Sequence, residues 1–150
     1  MLNGALTLGT MDGANVEIAE LAGAENIYTF GKDSESIIKL YETAGYVSKE
    51  YYENDKDIKR AVDFILNPAV VKLGNKTRLE RLYNELLNKD WFKTLIDFNA
   101  YVEAKEQILA DYEDQDSWNE KVVHNIAKAG FFSSDRTIAQ YNADIWHCEG

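Results

Sequence analysis

Three glycines, Gly4, Gly9 and Gly13, flank a short segment that is compatible with a β-strand and leads into a helix. A helix amino terminus offers free backbone N–H groups and a positive dipole, which is the chemistry of a phosphate site. The glycine spacing is not G-x-G-x-x-G, and no P-loop lysine follows it. Asp12, the predicted N-cap residue, would also repel an anion. The pattern therefore favours a tight strand-to-helix turn over a phosphate site.

The metal-ligating and nucleophilic side chains are two histidines and one cysteine, His124, His147 and Cys148. They show neither an i, i+4 histidine pair nor a C-x-x-C motif, so they do not predict a zinc site. His124 follows an apolar pair and is interpreted as a partly buried or surface histidine. Cys148 lies at the end of the sequence with no evident base beside it, which argues against a nucleophile.

Acidic and aromatic residues are numerous, and each group has a structural interpretation beside a functional one. The carboxylates are interpreted as solvated helix faces and loops, not as acid–base pairs: Glu103, Glu106, Asp111, Glu113, Asp114 and Asp116. Aromatic side chains could stack on sugars, but their helical spacing favours the core: Tyr51, Tyr52, Trp91, Phe92, Tyr101, Trp118, Phe131 and Phe132.

The most distinctive polar cluster is Ser133-Ser134-Asp135-Arg136. Serine or aspartate at this position predicts the N-cap of a last helix, and Arg136 is expected to pair with a nearby acidic residue. A phosphate-binding role for Arg136 is the less favoured alternative. Taken together, the residues predict no catalytic, cofactor-binding or metal site.

The composition describes one acidic domain. The chain has 150 residues, with 16 Lys+Arg against 26 Asp+Glu and a net charge of −10. That charge argues against nucleic acid and against an anionic membrane surface as partners. A single cysteine and the absence of a recognisable secretory leader lead us to expect a cytoplasmic protein.

The elements predict an α/β fold that is mostly helical. A strand–helix–strand (βαβ) unit spans about 5–31, with Gly23 at the end of its helix, and about seven helices follow over about 33–146. Asp33 is a predicted N-cap, and Ser117-x-x-Glu120 is a predicted capping box. Asn67-Pro68 ends one helix, and 67–75 is expected to be a loop.

Two short strands make a poor sheet, so the pattern is typical of the end of an α/β domain whose other strands lie elsewhere. Unpaired strand edges invite association. We therefore expect the chain to self-associate or to expose apolar surface.

Long ungapped stretches of the sequence resemble the carboxy-terminal region of α-glucan phosphorylases, the glycogen, starch and maltodextrin phosphorylases. The similarity covers essentially the whole chain and is most specific near its two ends. It is carried by these segments: Met1–Glu17, Asn26–Gly31, Gly45–Tyr52, Asn125–Ala127, Phe132–Tyr141 and Ile145–Trp146.

The resemblance implies that residues 1–150 are part of the carboxy-terminal Rossmann-like (GT-B type) domain of a large cytoplasmic, homodimeric enzyme. Such an enzyme cleaves α-1,4-glucans with inorganic phosphate and gives α-glucose 1-phosphate. It uses pyridoxal phosphate, held as a Schiff base on a lysine, and the cofactor phosphate exchanges protons with the substrate phosphate.

The family lysine lies in a G-T-G-x-x-K motif upstream of the position that matches Met1, and the motif does not occur in this sequence. Lys32, Lys39 and Lys49 lie in other contexts, and no functional residue of the family matches a position here. We therefore expect these 150 residues alone to bind no pyridoxal phosphate and to be inactive. The alternative is a freestanding, noncatalytic, acidic helical module that binds a protein partner.

Overall fold

The computed structural model describes residues 1–148, which form two compact units. The first unit contains Met1–Gly9, Gly13–Thr29 and the described residues from Glu106 onward. The second unit contains Thr10–Asp12 and Phe30–Lys105. The described chain is mostly helical and has one pair of strands.

The βαβ unit forms as the sequence predicts. Strand β1 (Leu8–Gly9) and strand β2 (Tyr28–Thr29) are parallel, with Leu8 opposite Tyr28 and Gly9 opposite Thr29. Helix α1 (Ala14–Ala22) connects them. Each strand has only two residues, and each has only the other as a partner within residues 1–148.

The other helices follow β2 in the chain and include one that the sequence missed. Residues 67–75 are not a loop, because Asn67 caps a helix through the Ala69 N–H and Pro68 occupies its first turn. The bounds are: α2 (Ser34–Thr43), α3 (Ser48–Asn54), α4 (Lys56–Phe64), α5 (Pro68–Leu73), α6 (Lys76–Asn88), α7 (Phe98–Asp111), α8 (Gln115–Lys128) and α9 (Ser134–Tyr141).

Helix starts match the sequence at some positions and differ at others. Asp33 and Ser133 cap α2 and α9 as predicted, accepting hydrogen bonds from Ser36 and Arg136 backbone N–H groups. Asp12 does not cap α1. The N-cap position falls on Gly13, whose backbone has φ +48°, a conformation that favours glycine.

The prediction of a capping box at Ser117-x-x-Glu120 is also wrong, since Ser117 lies inside α8. Asp114 caps this helix and accepts from the Ser117 N–H. A hydrogen bond from the Ser117 hydroxyl, followed by this N–H bond, holds the pKa of Asp114 below its usual range.

The second unit is built around a small apolar cluster of three buried side chains. Ile58 and Val62 come from α4, and Leu95 comes from a 3₁₀ turn at Thr94–Asp97. Partly buried side chains pack against this cluster: Tyr51, Tyr52, Tyr83, Leu87 and Phe98.

Asp55 stabilises the start of α4, which carries most of this cluster. Its carboxylate accepts from the Asp57 and Ile58 N–H groups at 2.8 and 3.1 Å and from the Asn99 side chain at 2.9 Å. The Asn99 bond and these N–H groups lower the pKa of Asp55. We expect Asp55→Ala to reduce the free energy of unfolding by about 1 kcal/mol at neutral pH, measured by urea denaturation.

The pH dependence provides the control for the Asp55 prediction. Because folding lowers this pKa, the stabilisation is present above the unfolded-state pKa of about 3.9 and is lost as the pH falls through the folded-state value. The difference in free energy of unfolding between wild type and Asp55→Ala should therefore disappear in acid. Asp57→Ala, which removes an exposed partner of Arg60, should change stability by only a few tenths of a kcal/mol. Equal losses in both variants would contradict the capping role.

Candidate functional site

The second unit contains a cavity of about 480 Å³ lined by polar, aromatic and aliphatic side chains. Part of its wall comes from Thr10 and Asp12, which follow β1 in the chain, and from Phe30, Lys32 and Ser34, which follow β2. Charged and polar side chains converge on it from several segments of this unit, so we take the cavity as the candidate site. The rest of the wall comes from Ile37, Ile38, Tyr41, Phe92, Thr94 and Asp97.

Two carboxylates in the cavity wall are held in defined positions. Asp97 accepts a hydrogen bond from the backbone N–H of Lys32 at 3.0 Å. Asp12 accepts one from the Thr10 hydroxyl at 3.0 Å. Lys32 also lines the cavity, so the charged groups of the wall are two carboxylates and one ammonium group.

Gly31 allows the close approach of Asp97. Its φ is +81°, and a Cβ added there would lie 2.6 Å from an Asp97 carboxylate oxygen. We expect Gly31→Ala to destabilise the protein by about 1–3 kcal/mol, measured by denaturant unfolding, and to shift the Lys32 amide resonance.

Gly130→Ala is the matched control for Gly31, because a Cβ at Gly130 would lie more than 4 Å from every described residue that is not adjacent to it in the chain. The control should change stability by less than about 1 kcal/mol. An unshifted Lys32 amide in Gly31→Ala would contradict the role given to Gly31.

Asp90 is the buried carboxylate that shapes the turn beside the cavity. It accepts from the backbone N–H groups of Thr94 and Leu95, each at 2.9 Å, and from the Tyr46 hydroxyl. Burial and this carboxylate together raise the pKa of Tyr46. The sequence did not single out Asp90, since its partners lie on both sides of it and as far back as Tyr46.

Lys93, in the same turn, is nearly buried against aromatic rings. Its ammonium group lies 4.0 Å from the centre of the Tyr41 ring and 5.0 Å from that of Tyr46. These are cation–π distances, so Lys93 packs its ammonium group against both rings.

The cavity does not suit pyridoxal phosphate. The carboxylates of Asp12 and Asp97 would repel the cofactor phosphate, and Lys32 is the one lysine among the residues that line it. Lys49 lies elsewhere and pairs with Glu53 at 3.7 Å on an exposed helix surface. No step of a cofactor-dependent reaction is therefore assigned to these residues.

The histidines and the cysteine singled out in the sequence are all exposed. His124 lies in α8, and His147, with φ +50°, ends a π-helical turn at Asn142–Trp146 that precedes Cys148. Within residues 1–148, no group of three His, Cys, Asp or Glu side chains is placed to hold a metal ion. None of the helices described is long and apolar enough to cross a lipid bilayer.

The carboxylates singled out in the sequence have separate structural surroundings. Asp111 accepts from the Tyr28 hydroxyl at 2.8 Å and from Gln107 at 2.6 Å, and Asp114 caps α8. Burial, followed by this bond to Asp111, raises the pKa of Tyr28. The other four are exposed: Glu103, Glu106, Glu113 and Asp116.

The aromatic residues divide into two groups. Tyr51 and Tyr52 pack on the apolar cluster, and Trp118 stacks on Tyr28 with ring centres 6.2 Å apart, as a core interpretation predicts. That interpretation is wrong for Trp91 and Phe92, because the turn after Asp90 directs both outward and leaves Phe92 88% exposed. Exposure is also substantial at three others: Tyr101, Phe131 and Phe132.

Tyr52 also belongs to a network that joins α3, α4 and α6. Its hydroxyl donates to Asp63 at 2.7 Å and lies 3.1 Å from the Tyr83 hydroxyl, and Lys59 contacts Asp63 at 2.9 Å. The bond to Lys59 is the main cause of a lowered Asp63 pKa, and the bond to Tyr52 raises the pKa of Tyr83 to about 12. The network connects three helices and is assigned a structural role.

Within residues 1–148, Arg136 makes no ion pair with an acidic residue, so the predicted pair is not found there. Its guanidinium group lies 3.8 Å from the Phe131 ring centre and donates to the Phe131 carbonyl, to Gln140 and to Thr137. Among the described residues, the partners of this arginine are therefore an aromatic ring and neutral oxygens.

Comparisons with known proteins identify the family. The model of the carbohydrate phosphorylase family matches residues 1–148. The chain is 69% identical to maltodextrin phosphorylase of Streptococcus pneumoniae over 98% of its own length and 19% of that protein. It is 44% identical to glycogen phosphorylase of Bacillus subtilis over 97% of the chain and 18% of that protein.

A vertebrate relative is likewise similar over nearly the whole chain, which again matches a small part of that protein. The chain is 46% identical to the brain form of glycogen phosphorylase of Ovis aries, over 99% of its length and 17% of that protein. The chain thus spans less than a fifth of the length of each of these three curated relatives. These matches, at both bacterial and vertebrate distances, show that the chain belongs to the carbohydrate phosphorylase family.

Proposed function

We propose that this chain is the carboxy-terminal part of an α-glucan phosphorylase that cleaves α-1,4-glucans with inorganic phosphate to give α-glucose 1-phosphate. The observation that carries this proposal is the 69% identity to a maltodextrin phosphorylase over 98% of the chain. The parallel strand pair joined by a helix supports its assignment to a Rossmann-like (GT-B type) domain. By the same resemblance, the whole protein is a cytoplasmic homodimer.

We infer that the 150 residues alone neither bind pyridoxal phosphate nor catalyse phosphorolysis. Two observations support this: the G-T-G-x-x-K motif does not occur in the sequence, and the cavity wall is lined by two carboxylates. In the whole enzyme the cofactor supplies the acid–base chemistry of its phosphate group. In this proposal the 150 residues contribute folded structure around that chemistry.

The test combines the chain with the part of a relative that lies outside the region matched by the chain. We expect the purified chain to show no Schiff-base absorbance with pyridoxal phosphate and no release of glucose 1-phosphate from maltodextrin. Co-expression with the part of the Streptococcus pneumoniae enzyme outside the matched region should restore phosphorolysis. The control is that part alone, which should be inactive.

Two outcomes would contradict the proposal. A Schiff-base band in the isolated chain would show a cofactor site within it. A complex of the two parts that forms but stays inactive would favour the second candidate, a noncatalytic helical module that binds a protein partner through exposed apolar side chains.

A further inference from the structure

Three aromatic rings and two carboxylates line the candidate cavity of the second unit. The rings are those of Phe30, Tyr41 and Phe92. The carboxylates are those of Asp12 and Asp97. The face of an aromatic ring attracts a cation, and a carboxylate attracts the same cation by its charge. A wall that combines the two kinds of group is therefore suited to an organic ammonium ion.

Phe92 is held in this wall by a strained turn. Asp90 has φ +35° and Lys93 has φ +56°, backbone conformations that residues other than glycine rarely adopt. Such strain persists only where the surrounding structure enforces it, and it is concentrated at ligand-binding and active sites. Here the buried side chains of Asp90 and Lys93 enforce it, and the turn leaves Phe92 88% exposed. The turn thus presents an uncovered ring at the cavity.

The same turn already packs an ammonium group against an aromatic ring of the cavity wall. The Lys93 ammonium group lies 4.0 Å from the centre of the Tyr41 ring, and the Tyr41 hydroxyl donates to the Trp91 carbonyl. A cation–π contact is thus an interaction that this part of the chain makes with its own lysine. The exposed ring of Phe92 offers the same kind of surface to a ligand.

The charges of the wall favour a cation over other small molecules. Among the described residues that line the cavity, two carboxylates stand against the single ammonium group of Lys32, so the wall has a net negative charge. An anion would be repelled by this wall and by a chain of net charge −10. A neutral ligand would leave the excess negative charge uncompensated. The volume of about 480 Å³ is that of a small-molecule site.

We propose that this cavity binds a small organic ammonium ion, with Phe92 against the cation and Asp12 and Asp97 as its charge partners. The inference does not rest on the proposed function, because it uses only contacts and charges within the second unit.

The experiment uses choline as the ammonium probe and 3,3-dimethyl-1-butanol as its matched control, in which carbon replaces the charged nitrogen. The 150-residue chain is titrated with each compound while its backbone amide resonances are followed by NMR. The reporter is the Lys32 amide, because its N–H donates to Asp97 in the cavity wall. We expect choline to give a saturable shift with a dissociation constant in the millimolar range, and the neutral compound to bind about tenfold or more weakly.

Two variants locate the bound cation. Phe92→Ala removes an exposed ring, so it should keep the fold and weaken choline binding by about threefold or more. Asp12→Asn removes one charge and should weaken binding by about threefold at low salt, with a smaller effect at high salt. Trp91→Ala is the matched control, since Trp91 is an exposed neighbour in the same turn and is not among the residues found to line the cavity. This variant should bind choline with about the affinity of wild type.

Circular dichroism establishes that each variant keeps the helix content of wild type. The proposal is overturned if choline gives no saturable shift in wild type, or if the neutral compound binds as tightly. It is also overturned if Phe92→Ala binds choline as well as Trp91→Ala does. Maltose that shifts the Lys32 amide where choline does not would identify a neutral sugar as the ligand and would overturn the proposal as well.

Discussion

Replacing Leu95 with alanine is expected to lower the free energy of unfolding of the second unit by about 2–5 kcal/mol. Leu95 is 4% exposed and packs with Ile58 and Val62 in a cluster of only three buried side chains. The Leu95 backbone N–H also donates to Asp90, so a cavity here loosens the turn that forms one wall of the candidate site. Urea denaturation followed by tyrosine fluorescence measures the loss.

Leu73→Ala is the control for this prediction. It removes the same atoms from a side chain that is 92% exposed, so it should change stability by less than about 0.5 kcal/mol. If Leu95→Ala and Leu73→Ala were equally stable, the three-residue cluster would not be the core of the second unit.

Short sequence patterns correctly predicted two helix N-caps and the βαβ unit. Asp33 and Ser133 cap helices because an N-cap needs only a side-chain oxygen and a backbone N–H within three residues. The parallel βαβ unit followed from its length and from the glycine after its helix. That glycine, Gly23, ends α1 with φ +91° and ψ +140°, and its backbone N–H donates to the Ala19 carbonyl.

The errors arose where two local signals compete. Asn67-Pro68 ends one helix, but the same pair also caps and begins another, since proline suits the first turn of a helix. Asp114 and Ser117 are both good caps, and the structure uses the earlier one. Sequence spacing alone does not decide between such neighbours.

The candidate site could not be predicted from the sequence, because its wall is assembled from segments that are far apart in the chain. Asp97 becomes a wall residue only when Lys32, far away in the chain, donates its backbone N–H. The outward position of Phe92 likewise depends on the turn at Asp90, whose φ is +35°. The family, by contrast, could be predicted from long ungapped motifs. The match of the family model over residues 1–148 confirms that prediction.

Asn125 is the buried polar residue on which we expect the first unit to depend most. It is 0% exposed, and its amide nitrogen donates to the backbone carbonyls of Asn26, at 2.8 Å, and Lys121, at 3.0 Å. It therefore ties α8 to the segment that leads into β2. Asn125→Asp keeps the shape, removes both donors and places a buried negative charge beside two carbonyl oxygens. We expect a loss of about 3–5 kcal/mol at pH 7, measured by denaturant unfolding.

The pH dependence of this loss identifies its cause. Burial raises the pKa of an introduced carboxyl above its unfolded value of about 3.9, so the destabilisation is greatest above the raised pKa and diminishes as the pH falls below it. In acid the introduced carboxyl group is protonated and regains one donor for these carbonyls. Asn119→Asp, an exposed change on the same helix, should be nearly neutral throughout. A loss in Asn125→Asp that did not change with pH would mean that the fold depends on the shape of this side chain and not on the two hydrogen bonds that it donates.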